Sequence, residues 1–189
     1  MSKMLFPKMA VSNIRKNKKL YVPYIITAIF TVMMFFMNIS IVKNKNVAAM
    51  RGGQNVVLLL QVALVVSFIF SAIFLFYTNS FLMKRRTKEI GLYNILGMEK
   101  KHISLMMLFE NVIITTISLT AGIVFGIIFS RLMFLVLMKL IKADSVPAFV
   151  ISTNAVAVTI IYFIGIFAVI YIYNFVKVQK SKPIELLHS

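Results

Sequence analysis

The chain has 189 residues, 60% of them hydrophobic, and 21 lysines and arginines against five acids give a formal net charge of +16. Its apolar residues are gathered into long blocks and do not recur on one face of each element, which excludes a soluble core; the absence of cysteine excludes disulfides, thiolate metal ligands and lipidation at cysteine. The basic residues form collars beside the apolar blocks and no continuous stripe, so nucleic acid is not an expected partner.

The head, residues 1–19, alternates Met4, Leu5, Met9, Val11 and Ile14 with Lys8, Asn13 and Arg15. That pattern predicts an amphipathic helix in the membrane interface, with Pro7 in its first turn where a missing N–H costs little. The other reading is a disordered basic tail. The first span, 20–42, contains no charge. Pro23 suits its first turn, and Tyr21 and Tyr24 are expected in the interfacial aromatic belt. No Ala-x-Ala-like exit follows this block, so it reads as a retained anchor and not as a cleaved signal. A short connection, 43–55, carries Gly52 and Gly53. The second span, 56–83, is uncharged over 28 residues. At 1.5 Å per residue it reaches roughly 42 Å, longer than the roughly 30 Å hydrocarbon layer, and is expected to tilt or project.

Residues 84–102 form a charged elbow between two spans. A short helix over 88–96, lying across the membrane surface, puts Glu89, Tyr93 and Leu96 near one face with Ile90 close to it. Gly97 is placed to end that helix in a left-handed conformation, and Glu99 to open the next. Apolar residues exposed on such an elbow call for a protein or lipid headgroups to cover them.

The third span runs over 103–130 with a further apolar stretch at 132–138. Ser118, Gly122, Gly126 and Ser130 recur every four residues along it. Such a stripe permits close helix approach, and a hinge or groove is the alternative; Ala63, Ser67 and Ser71 on span two are the expected mate. Arg131 at its outer end is long enough to snorkel to headgroups. Glu110 is the one acid inside a candidate span, where an ionised carboxylate is costly and needs a partner. Three roles stand open for it: a structural pair with Arg85 or Arg86 in the headgroup zone, a coupling or conformational role, and proton carriage, for which no second intramembrane acid supplies a relay. A second short connection, 139–148, ends near Pro147, and the fourth span, 149–176, is again uncharged.

The expected fold is therefore all-α, a polytopic membrane protein of four transmembrane helices. It divides into a head, 1–19, a four-span domain, 20–176, with its elbow at 84–102, and a tail, 177–189. Fifteen basic residues lie in the head, the elbow and the tail, against six on the opposite side, Arg131 at the outer end of the third span included. By the positive-inside rule both termini and the elbow are expected to be cytoplasmic. No catalytic or metal constellation is present: His102 and His188 lack partners at ligand or triad spacing, and no glycine-rich segment is followed by the Lys-Ser or Lys-Thr of a nucleotide-binding loop. If nucleotide powers this protein, another chain hydrolyses it.

Three stretches resemble a known family: Ala10-Val-Ser-Asn-Ile-Arg-Lys-Asn-Lys-Lys19, Glu89-Ile-Gly-Leu-Tyr-Asn-Ile-Leu-Gly-Met98, and Lys182-Pro-Ile-Glu-Leu-Leu187. They are similar to the FtsX-like permeases of bacterial ABC transporters, and within them to the peptide-antibiotic resistance permeases of the bacitracin and lantibiotic type. The resemblance implies a multi-pass permease of the bacterial cell membrane, non-catalytic itself, whose elbow couples to a separate ATPase through Glu89, Ile90, Gly91, Leu92, Tyr93, Leu96, Gly97 and Met98. ATP and Mg²⁺ would bind that ATPase, with no cofactor on this chain. It further implies action on antimicrobial peptides or their lipid-linked targets and, as partners beside membrane lipids, a second permease copy or remaining permease half and a sensor histidine kinase. Such permeases continue into further spans and a large outer domain, so the chain is expected to be a fragment, a split-gene half or a minimal relative. The alternative function is a small non-transporting scaffold or signalling accessory.

Overall fold

A computed structural model describes residues 5–44, 53–140 and 152–180. The two short connections and the tail segment Lys182-Pro-Ile-Glu-Leu-Leu187 lie outside these residues. The described chain is all helical: α1 (Leu5–Lys16), α2 (Lys18–Val42), α3 (Gly53–Ile95), α4 (Lys100–Leu140) and α5 (Thr153–Lys180). The last four are each long and apolar enough to cross a membrane, as the block lengths predict.

The helix bounds differ from the predicted ones in one consequential way. No break separates span two from the elbow, because α3 runs unbroken for 43 residues and carries the segment predicted to lie across the surface as roughly its own last two turns. Lys84, Arg85, Arg86, Thr87 and Lys88 mark a change of solvent, yet straight-chain basic residues propagate a helix well. At 1.5 Å per residue α3 is about 65 Å long, so its end stands roughly 18 Å beyond Met83. It stops where Gly97 takes φ 90°, with the amide of Met98 donating to the carbonyl of Tyr93 at 3.0 Å and that of Gly97 to Asn94 at 3.2 Å, the pattern of a glycine-terminated helix. Glu99 then caps α4, its carbonyl accepting from the amides of His102 and Ile103. The elbow is thus a projecting hairpin and not a surface-lying helix.

Helix α2 is the spine of the bundle. It packs along α4 on one face and along α3 on another, whereas α3 and α4, though consecutive, meet chiefly toward the turn that joins them. The main core joins Ala28, Val32, Phe35 and Phe36 of α2 to Leu75 of α3, Ile114 of α4 and Phe163, Phe167 and Ile170 of α5. Phe35 stacks on Tyr162 with centroids 4.8 Å apart and meets Phe163 edge-on at 5.5 Å, geometries that favour aromatic pairs.

The small-residue stripe of α4 is buried throughout, at Ser118, Gly122, Gly126 and Ser130, but its mate is α2 and not span two. A Cβ built on Gly122 would stand 2.6 Å from Val32 Cβ and 3.1 Å from the carbonyl oxygen of Ile29; one on Gly126 would stand 2.7 Å from the Phe36 ring. Of the expected mates, Ala63 is exposed. Ser67 instead accepts a hydrogen bond from Asn38 of α2 at 2.9 Å, and Ser71 meets the Tyr162 hydroxyl of α5 at 2.9 Å. Two further expectations are corrected. Pro23 lies inside α2, beyond its first turn, and Tyr21 and Tyr24 are buried, 0% and 3% exposed, so they serve the core and not an aromatic belt.

The glycine contacts rank three substitutions. Gly122→Ala meets a β-branched side chain and backbone, and overpacking of this kind costs about 1–3 kcal/mol. Gly126→Ala meets only the buried Phe36 side chain and no backbone atom, and is expected to be milder. Gly165, with nothing within 4 Å of its would-be Cβ, tolerates alanine or gains slightly from the better helix former. Thermal unfolding in detergent checks the order; equal midpoints for the Gly122 and Gly165 variants would remove the close-approach explanation.

Candidate functional site

Where the α3–α4 hairpin leaves the bundle, the described residues hold a buried polar junction. Its centre is Glu110 of α4, 2% exposed, paired with Arg86 of α3, also 2% exposed. Arg86 Nη1 and Nη2 donate to Glu110 Oε2 and Oε1 at 2.5 and 3.1 Å. The Asn13 amide of α1 donates to Oε1 at 3.1 Å and the Tyr21 hydroxyl of α2 to Oε2 at 2.9 Å. Four donors from three other helices therefore surround one carboxylate, filling the roughly four acceptor sites that its two oxygens offer. Arg86 also lies over the Tyr21 ring, 5.2 Å from its centroid. Arg85, the other partner considered, is exposed and rests over Phe81 at 5.3 Å. Glu110 stands inside the helix bundle and not at its surface.

The junction extends outward along α3. Glu89 lies 3.8 Å from Arg86 Nε and accepts from the Asn17 amide at 2.9 Å. The Tyr93 hydroxyl donates to Asn13 Oδ1 at 3.3 Å. Toward the middle of the bundle, Asn79 of α3 and Asn174 of α5 exchange reciprocal bonds of 3.1 Å. They border a cavity of about 30 Å³ with Tyr21, Tyr24, Arg86 and Glu110, wide enough for about one water molecule.

Head helix α1 is docked here, and the side it buries differs from the predicted one. Phe6, Ala10 and Asn13 face α4, Phe6 stacking on His102 at 5.6 Å, while Val11 is 55% exposed. Asn13, expected on the polar outer face, lies inside because the carboxylate and the Tyr93 hydroxyl there supply what its amide needs.

The elbow residues divide between two faces. Ile90, 1% exposed, packs with Met83, Ile103, Met107 and Val178, and Tyr93 and Met98 rest against that cluster; Gly91 is buried as well. The end of α5 braces the same cluster, Lys100 Nζ donating to the Gln179 carbonyl at 2.9 Å. The outward face is Leu92, Ile95 and Leu96, 52%, 56% and 72% exposed, beside exposed Gly97. The expectation that Ile90, Tyr93 and Leu96 share one exposed face is therefore corrected: positions 90 and 93 follow Met83 and Arg86 onto the inner face, whereas 92, 95 and 96 lie opposite.

Residues 61–183, which include most of α3, the hairpin, α4 and α5, match a family model described as FtsX-like permease C-terminal. The chain belongs to the FtsX-like permease family. Among curated proteins, this FtsX-like chain is 31% identical to an uncharacterized ABC transporter permease, YvcS, of Bacillus subtilis over 95% of its own length and 28% of the relative's. It is 30% identical to the bacitracin export permease protein BceB of the same organism, again over 95% of this chain and 28% of the relative. With BceB of Halalkalibacterium halodurans the identity is 28%, over 94% and 28%. The chain thus spans little more than a quarter of the length of the curated relatives it matches.

Reasoning from sequence did not place Asn13, Asn17, Tyr21, Asn79 or Asn174 in the junction. A signal was available for two of them: Asn79 and Asn174 are amides within otherwise apolar spans, where a polar group requires a partner. The network predicts a specific pattern of stabilities. Glu110→Ala or Arg86→Met alone strands a buried charge and should cost about 3–5 kcal/mol, while the Arg86→Met, Glu110→Leu double variant recovers most of that loss. Thermal melts of the three in one detergent measure it. Additive losses would show that the two groups act separately.

Proposed function

We propose that this chain is the membrane-spanning coupling module of an ABC-type transporter and that the tip of the α3–α4 hairpin seats a separate ATPase. One observation carries this reading: a hairpin that projects from the bundle ends in an apolar face, Leu92, Ile95 and Leu96, beyond the uncharged part of α3. Lipid covers apolar surface inside the hydrocarbon layer, but past Lys84, Arg85 and Lys88 such a face needs a protein partner. Glu89, Ile90, Gly91, Tyr93 and Met98 then belong to the coupling segment as its inner side, which transmits movement of the tip to the bundle. Leu92, Leu96 and Gly97 supply the contact itself.

The distribution of basic residues supports an orientation with the hairpin and both termini in the cytoplasm, where an ATPase and its Mg²⁺-bound ATP would be available. The proposed division keeps 1–19 as the head, 20–176 as the permease domain with its coupling elbow at 84–102, and 177–189 as the tail. Two of the relatives are named bacitracin export permeases, which supports export or removal of antimicrobial peptides or their lipid-linked targets as the finer function. A sensor histidine kinase and a second copy or remaining half of the permease are further proposed partners.

Co-purification with a co-expressed ABC-type ATPase tests the seat. Burying a large apolar side chain is worth about 1.5–3 kcal/mol, so a Leu92→Ala, Ile95→Ala, Leu96→Ala variant is expected to lose ATPase recovery by more than about tenfold. Phe125→Ala, altering an exposed residue in the middle of α4, should leave recovery unchanged. Full recovery by the correctly inserted tip variant rules the seat out.

A further inference from the structure

Helix α1 has two working sides. The inner one, through Asn13, holds Glu110 and Tyr93, and Asn17, just past its end, holds Glu89. The outer one is basic: Lys8, Arg15 and Lys16 are all exposed, as are Lys18 and Lys19 at the start of α2, and no acid precedes Glu89 anywhere in the chain. Lys8, Ser12 and Arg15 fall two turns apart along one face and border an open groove of about 420 Å³ with Pro7 and Val11. The groove therefore combines two cations and a hydroxyl with an apolar rim. It lies directly before Lys18, where the first membrane-spanning helix begins.

We propose that this groove binds the phosphate headgroup of an anionic phospholipid, and that the bound lipid, by holding α1 in place, fixes the hairpin tip against the bundle. The chemistry fits a lipid better than a free anion. Lys8 and Arg15 supply charge-assisted bonds to phosphate oxygens, the exposed Val11 and half-buried Pro7 face the glycerol and upper acyl region, and the position beside the start of a span supplies the membrane. Asn13 connects lipid occupancy to the tip, because α1 cannot leave its seat without releasing Tyr93 and Glu110. The proposal does not depend on the ATPase reading and is tested without it.

The experiment uses the full chain in nanodiscs of phosphatidylcholine alone or with added phosphatidylglycerol, with amide exchange of residues 88–98 as the readout. Since each basic residue contributes about a fivefold factor to binding an anionic surface, phosphatidylglycerol is expected to slow exchange at the tip by about fivefold or more. The K8Q/R15Q variant, altered only at exposed positions, should lose that slowing while exchanging like the parent in phosphatidylcholine. Asn13→Ala should exchange fast in both lipids, separating lipid binding from its transmission. Equal tip exchange in the two lipids overturns the proposal, as does an undiminished lipid response in K8Q/R15Q. Equal protection by inorganic phosphate in phosphatidylcholine discs would assign the groove to a soluble anion and overturn the lipid assignment.

Discussion

The architecture turns on one buried charge pair. Arg86 and Glu110, each 2% exposed, sit on the two arms of the projecting hairpin. In a medium of low dielectric neither is tolerable alone. Their mutual bidentate geometry fixes the rotation of α3 about its axis, and that rotation decides every face beyond it. With Arg86 turned inward, Met83, Ile90 and Tyr93 follow onto the inner side and Leu92, Ile95 and Leu96 are left outside. Because Tyr21 and Asn13 supply the remaining donors, the same carboxylate also sets where α1 and α2 meet the hairpin.

A second constraint complements the first from the middle of the bundle. Gly122 and Gly126 let α4 approach α2 to backbone contact, making α2 the element against which α4 and α3 are both referenced. α3 and α4 are thus held apart within the span region and joined near the hairpin by the ion pair and by the cluster of Met83, Ile90, Ile103, Met107 and Val178. A displacement applied at the tip therefore reaches the bundle through a small set of named contacts.

The spans were legible because apolar length alone specifies a membrane-crossing helix, and the hairpin turn because Gly97 satisfies a left-handed helix end. The continuity of α3 was not, since Lys84 to Lys88 change the solvent preference of the helix without ending it. The glycine stripe announced close packing but not its partner, because Ala63, Ser67 and Ser71 offer the same spacing as the residues of α2 that in fact meet it. At the junction, Glu110 stood out as an acid in an apolar block. Asn13 and Tyr21 did not, because an asparagine in a basic head and a tyrosine at a span boundary have ordinary solvent-facing readings, and only the tertiary position of Glu110 draws them inward. The two faces of the elbow were confused for a related reason: residues 84–96 have no apolar periodicity strong enough to orient the helix, which is oriented instead by Arg86.

The central claim, that the Arg86–Glu110 pair fixes the hairpin to the bundle, is most directly tested by a distance distribution. The chain contains no cysteine, so spin labels placed at exposed positions 88 and 177 report the hairpin against the end of α5 without background labelling. In the parent a single narrow distance is expected, and in Glu110→Gln a broadened distribution, or a second one, with the helix content unchanged. A distribution as narrow and as centred in Glu110→Gln as in the parent would contradict the account.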